Sequence, residues 1–320
     1  MKRKIATGRT VALAVSALLV TLIACTSTVP SEAQRWYPSR WGAEDQRGAA
    51  NRMTPAKTLE ARDLIKQGTI YQLGRVYESG MPMFGTRHFS LRIPQTFVIP
   101  GSNQPTYHDE LVSAELGQVG TQFDGLGHLG IGDLYYNGNN RKDFAKPEGL
   151  TKLGIENVGP LVTRGVLIDI AGLKGVPQLE SGYEITPADL QAALKKQSIE
   201  IRPGDVALIH TGWGSLWMKD NARYTQGCPG IGVAAAQFLA DEEVMVVGSD
   251  NWGVEVSPNP DASLGAPVHQ LLIARNGIYL HENLNTEELA RDSVYEFAYI
   301  FAPLRLKGAT GSPGNPIAIR

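Results

Sequence analysis

Five largely apolar runs, at 160–170, 205–210, 243–250, 278–282 and 293–304, constrain this chain more than any other feature. Continuous apolar runs of this kind suit strands covered on both faces. Helix signatures fall between them. Thr186-Pro187-Ala188-Asp189 sets a hydroxyl cap before a proline, with Leu190, Ala193 and Leu194 facing inward. An alanine-rich helix is expected over 230–240, and a short one over 267–275 that Asn276-Gly277 closes. Thr286 begins a helical turn over 286–290. Nearer the start, Thr54-Pro55 opens a helix with Leu59, Leu64 and Ile65 as its apolar stripe, and Gly68 ends it before a strand at 70–77. Strands alternating with helices predict an α/β core. The 35 glycines and 19 prolines among 320 residues fit many strands and turns rather than a helical bundle. No repeat period is visible. No stretch after residue 40 is polar enough to divide the chain, so one catalytic domain is expected over 41–320.

The formal net charge is -2, which carries no nucleic-acid footprint. Met1-Lys2-Arg3-Lys4 and the apolar run 11–24 form an export leader, too short for a comfortable membrane span. Leu22-Ile23-Ala24-Cys25 resembles a lipobox, which predicts a lipoprotein-type signal over 1–24, lipidation of Cys25 and a tether over 25–40. The competing reading is cleavage after Ala33, in Ser31-Glu32-Ala33. Both readings export the protein, to the periplasm or to a membrane-anchored position, and contact with a membrane is limited to the Cys25 anchor. Cys228 is the other cysteine and is expected as a buried thiol, because nothing near it in sequence supplies a base.

Gly117-Gln118-Val119-Gly120-Thr121-Gln122-Phe123-Asp124-Gly125-Leu126-Gly127-His128 is the stretch richest in chemistry. Read as a strand, it sets Gln118, Gly120, Gln122 and Asp124 on one face, and a Gly-Leu-Gly turn delivers His128 beside the carboxylate. Gly125, Gly127 and Gly130 spell the dinucleotide fingerprint, but a turn-rich stretch comes next where that motif needs a helix. No G-x-S-x-G elbow exists either. Asp169, His210 and Asp250 also end strands, where α/β proteins gather ligands; Asp169 and Asp250 are expected to serve as turn or cap residues. His88 falls in an irregular, Gly- and Pro-rich segment over 79–106, read as a loop over a pocket. A second informative stretch carries His269 in a short helix, then His281 and Glu282 side by side on a strand. Alternation lets only one of that pair face a pocket, and spacing does not say which.

Together these stretches resemble the cyclase family of hydrolases, which includes bacterial kynurenine formamidase and isatin hydrolase. The family signature is H-x-G-T-H-x-D-x-x-x-H, and here the same frame reads Gln118-Val119-Gly120-Thr121-Gln122-Phe123-Asp124-Gly125-Leu126-Gly127-His128. The family's later element, a His leading a Leu-Leu helix and a Glu after a turn, resembles His269 to Glu282. Trp41-Gly42-Ala43-Glu44-Asp45 and Asn51-Arg52-Met53-Thr54-Pro55 are also similar to its longer members. The resemblance runs from about residue 41 to about 307. It implies a swivelling β/β/α fold with a mixed sheet core and flanking helices, and assembly as a homodimer or homotetramer.

Both signature histidines that help bind metal in the family are glutamine here. The resemblance then implies a divalent metal held by Gln118, Gln122 and Asp124, with manganese preferred over zinc because carboxamide oxygens are hard, neutral ligands. A metal-free site remains open. His128, His269 and Glu282 are the implied catalytic groups, with Glu282 chosen over His281 on the family pattern. Phe123, Trp213 and Tyr107 are candidate substrate-binding walls, and His108 a candidate replacement ligand. The implied activity is hydrolysis of an amide-type or related C–N or C–O bond in a small, cyclic or aromatic substrate. Two alternatives stand beside it: metal-independent acid–base chemistry such as dehydration or cyclisation, and a binding protein without turnover.

Overall fold

A computed structural model describes residues 36–94 and 97–320. The leader, Cys25 and the Ala33 cleavage site lie outside the described residues. Among those residues no helix is long and apolar enough to cross a membrane. Residues near the end of the expected tether already belong to the domain, since the Ser39 N–H donates to Asn137 Oδ1.

Nine strands form one mixed sheet: β1 (Ile70–Gln72), β2 (Gln122–Asp124), β3 (Leu161–Asp169), β4 (Val206–His210), β5 (Val246–Ser249), β6 (Tyr279–Glu282), β7 (Glu296–Phe301), β8 (Gly311–Pro313) and β9 (Ile317–Ile319). Their order is β1-β9-β7-β3-β4-β5-β6-β2-β8. The four central strands β3 to β6 run parallel, and the strands on either flank pair antiparallel. The five apolar runs become β3 to β7. Val206, Ala207, Leu208 and Ile209 have no exposure, as expected of a strand covered on both sides.

The principal helices are α1 (Pro55–Asp63), α2 (Pro187–Gln197), α3 (Val233–Asp241) and α4 (Pro267–His269), the last continuing as a π-turn over Gln270–Arg275. The Thr186 side chain accepts from the Asp189 N–H while Asp189 accepts back from the Thr186 N–H, closing a capping box, and Leu190, Ala193 and Leu194 are buried as read. The expected stripe on α1 is wrong. Leu59 is 49% and Ile65 40% exposed, and only Ala61 is buried. A small side chain lets this helix sit close to β3, and Lys57 reaches the buried Asp205 beneath it at 2.7 Å.

Polar strand ends take up structural work. Asp169 accepts from the Gly172 N–H at 2.7 Å and so caps the short helix Ile170–Lys174. Asp250 accepts from the Thr211 N–H and hydroxyl and from the Gly214 N–H, tying down the turn after β4. Both match their expected roles. Cys228 is buried, and burial pushes its thiol well above the ordinary range.

His281 points from β6 into the core. Its ring meets Phe123 edge-on at 5.3 Å and Phe301 at 4.7 Å, and its Nδ1 lies 2.6 Å from the Tyr299 hydroxyl. Among the described residues its Nε2 has no hydrogen-bond partner. Burial pulls this imidazole down to about 3, whereas in the unfolded chain it titrates near 6.5. The unfolded state therefore binds the extra proton as pH falls below about 6.5, and native stability declines by up to about 1.4 kcal/mol per pH unit from this residue. Denaturant melts between pH 7 and 4 should show His281→Phe with a lower plateau, because Tyr299 loses its partner, but a shallower acid slope. An unchanged slope overturns this assignment.

Candidate active site

The pairing of β6 with β2 builds one wall of the site. Glu282 lies opposite Gln122 and Leu280 opposite Asp124. Alternation sends Gln122, Asp124 and Glu282 to the cavity side and Phe123 with His281 to the core side. Phe123 stacks on Tyr279 at 5.0 Å with no exposure, so it packs the core and does not wall the pocket. Gln122 Nε2 donates to Glu282 Oε2 at 2.7 Å across the pair.

The expected long strand is short. Only Gln122–Asp124 pair, and the chain before them is irregular, with Gly120 at φ +62. A Cβ there would sit 2.7 Å from the Tyr77 ring, whose hydroxyl donates to the Thr121 carbonyl. Glycine is required on both counts. Gln118 still returns to the site and donates from Nε2 to Asp124 Oδ1 at 3.3 Å.

Two histidines complete it from other directions. His128 arrives on the turn after β2, closed by its N–H to the Gly125 carbonyl. The chain beyond His128 forms a turn and a small hairpin rather than a helix, so no dinucleotide site forms. His269 arrives on α4, and the π-turn immediately after it is a feature often found beside functional residues. Asp124 Oδ2 lies 3.7 Å from His128 Nε2 and 3.7 Å from His269 Nε2. His269 Nε2 is 3.3 Å from Glu282 Oε1. On the far side of its ring, His269 Nδ1 donates to Glu255 Oε1, and Glu255 also accepts from the Val268 and His269 N–H groups.

The electrostatics reflect this crowding. Burial lowers the His128 imidazole against the pull of Asp124. Burial acts the same way on His269, but Glu255 and Glu282 outweigh it and hold the ring up at about 10. Burial and then Asp124 push Glu282 up to about 7, against the opposing pull of His269.

A cation fits the donor set. One oxygen of Asp124 and one nitrogen each of His128 and His269 lie within 4.8 Å of one another. Asp124 Oδ2 is buried and has no hydrogen-bond partner among the described residues, a costly state for a carboxylate oxygen that a metal would relieve. Two imidazoles and a carboxylate suit zinc as well as manganese. This corrects the expected ligand set: Gln118 and Gln122 aim their amide N–H groups at carboxylates, and His128 and His269 face Asp124 in their place. The preference for manganese, which rested on glutamine oxygens, goes with them.

The cavity in front of these groups holds about 510 Å³ and is walled on its apolar side by Phe84, Trp252, Leu129, Val256 and Leu264. Phe84 and Trp252 stack at 4.8 Å. Trp213 is fully buried with its Nε1 donating to the Tyr224 carbonyl, and neither it nor Tyr107 nor His108 lines the cavity. His88 is a surface residue paired with Glu115. Glu255, Phe84, Arg87 and Trp252 carry no signal in the sequence motifs. The loop character of 79–106 is the one feature that points to two of them; Glu255 sits in an irregular stretch with no periodicity.

Calorimetric titration of chelator-treated protein with Mn2+ or Zn2+ should show one bound ion. Asp124→Ala and His128→Ala should abolish that binding, and Glu255→Gln should weaken it about 10- to 100-fold by releasing the His269 ring. Gln118→Ala should retain it within a few-fold. Binding that survives loss of His128 but not of the glutamines reverses the assignment.

Comparison with known proteins gives a consistent answer. The Cyclase family model matches residues 71–256. No curated protein matches the chain. A crystal structure described as a novel cyclase is 34% identical, with a TM-score of 0.77 over 88% of this chain and 96% of that one. Isatin hydrolase A from Ralstonia solanacearum is 21% identical, with a TM-score of 0.61 over 84% of this chain and 98% of that one. Isatin hydrolase A from Labrenzia aggregata, bound to benzyl benzoate, is 22% identical, with a TM-score of 0.57 over 78% and 93%. The last two show the same fold, a large mixed sheet with flanking helices. With a family match over more than half its length and a relative 34% identical across 88% of it, this chain belongs to the cyclase family.

Proposed function

We propose that the protein is a hydrolase that opens an amide-type or related C–N or C–O bond, as in an arylformamide, lactam or ester, of a small aromatic or cyclic substrate. The observation that carries this is the unpartnered oxygen of Asp124 facing two imidazole nitrogens at the floor of a cavity. Asp124, His128 and His269 would hold a divalent cation, whose chemistry when bound is to polarise a carbonyl and acidify water.

The chain's own groups divide the remaining work. Glu255 fixes the His269 ring by accepting from Nδ1, which leaves Nε2 turned toward Asp124. Gln122 occupies Glu282 Oε2, so Oε1 is the oxygen left to take a proton from the attacking water and pass it to the leaving nitrogen or oxygen. The substrate ring rests against Trp252, Phe84 and Leu264, and a 510 Å³ cavity suits a molecule of one or two rings. The leader over residues 1–24 makes export, to the periplasm or to a lipid anchor at Cys25, part of the same proposal.

The test is turnover of isatin, N-formylated aromatic amines and aryl lactones by protein loaded with Mn2+ or Zn2+. At least one class should be consumed. Asp124→Ala should leave no measurable rate, and Glu282→Gln should lower kcat about 10²- to 10⁴-fold with KM little changed. The proposal falls if no member is consumed, or if Asp124→Ala works as fast as the parent. Equal turnover by metal-free protein would select acid–base chemistry without a cation instead.

A further inference from the structure

Of the residues lining the cavity, Arg87 alone is a fixed cation. It comes from the loop at 79–106 and also lines the narrow cleft between that loop and Gln118. Its guanidinium lies over the Phe84 ring, 5.8 Å from the centroid. Its hydrogen bond to protein runs from Nη2 to Gln118 Oε1 and is long, at 3.4 Å, to a neutral acceptor. Among the described residues no carboxylate pairs with it, although ion pairs engage most arginines of the domain, including Arg52, Arg75, Arg164 and Arg202. A guanidinium carries five donors and keeps its charge at every working pH. Half-buried beside an aromatic wall, with most donors unspent, it is a ready seat for an anion.

The floor of the site is rich in acids. Asp124, Glu255 and Glu282 gather there around His269. Gln118 links Arg87 to that floor, accepting from the guanidinium and donating to Asp124, so an anion seated on Arg87 lies close to the reacting groups.

We propose that Arg87 is a specificity-determining residue that binds a carboxylate carried by the substrate, with the aromatic ring on Phe84 and Trp252 and the scissile bond toward Asp124. This rests on the hydrolase reading for its kinetic consequence, but the anion seat itself does not.

Two measurements keep the two ideas apart. The first compares Arg87→Met and Arg87→Lys with the parent on paired aromatic amides that differ in bearing a ring carboxylate or its methyl ester. Arg87→Met should raise KM for the carboxylate about tenfold or more, equivalent to about 1.4 kcal/mol, with kcat and the ester's KM nearly unchanged. Arg87→Lys should recover part of the loss. An equal fall in kcat for both substrates overturns the proposal, since it assigns Arg87 to the reaction or to the fold. The second measures binding of phenylacetate and phenylacetamide to the metal-loaded protein by calorimetry, with thermal melts as the folding control. If no amide, lactam or ester is hydrolysed, the hydrolase reading fails, and this measurement still decides Arg87. Phenylacetate bound no more tightly by the parent than by Arg87→Met refutes the anion seat; a tenfold difference absent with phenylacetamide supports it.

Discussion

The site depends on the antiparallel pairing of β6 with β2 at the end of a parallel core. That pairing puts Gln122 opposite Glu282 and Phe123 opposite His281. A slip of β2 by one residue would turn its side chains to the other face. It would bring Phe123 into the cavity and force Gln122 and Asp124 into the aromatic core. The penalty for burying unpaired carboxylates makes such a slip prohibitive. The aromatic layer of Phe123, Tyr279 and Phe301 behind the strands thus fixes the register that the chemistry in front needs.

The parallel core explains why the remaining groups converge. β3, β4 and β5 run side by side and in the same direction as β6, and their apolar faces carry no chemistry. Reactive side chains come from the connections around these strands: Glu255 after β5, His269 on α4 before β6, and His128 on the turn after β2. Two connections, the one between β5 and β6 and the one after β2, deliver three groups to one cavity. Asp250, at the end of β5, is absorbed into holding the turn after β4, which frees the irregular chain beyond it to carry Trp252 and Glu255 to the cavity.

Much of this is legible in the sequence because burial on both faces writes a continuous apolar run. β3 to β7 and α2 follow from that signal and from the Thr186 cap. β8 and β9 leave no such trace: Gly311–Pro313 and Ile317–Ile319 are short, sit in a Gly- and Pro-rich tail, and owe their pairing to strands far away in the chain. At the site, Asp124, His128, His269 and Glu282 meet as the motif frame implied. The glutamines turn their amide N–H groups to Asp124 and Glu282, because a motif gives the order of residues and not the direction of a carboxamide. Phe123 and Trp213 fail as pocket walls for a related reason. Aromatic residues near a motif are as well suited to core as to cavity, and only the register separates the two.

The glutamines are better understood as counterweights. Asp124, Glu255 and Glu282 place three acidic side chains within reach of one ring, His269. An imidazole at 118 or 122 would add a donor to metal and a second titrating charge. A carboxamide adds neither. It supplies an N–H to an acid at any pH, as Gln118 does to Asp124 and Gln122 to Glu282. The charge of the floor would then be balanced by the cation it would hold. Glutamine in this frame leaves His128 and His269 as the imidazoles that face Asp124, and orients the acids without changing their charge.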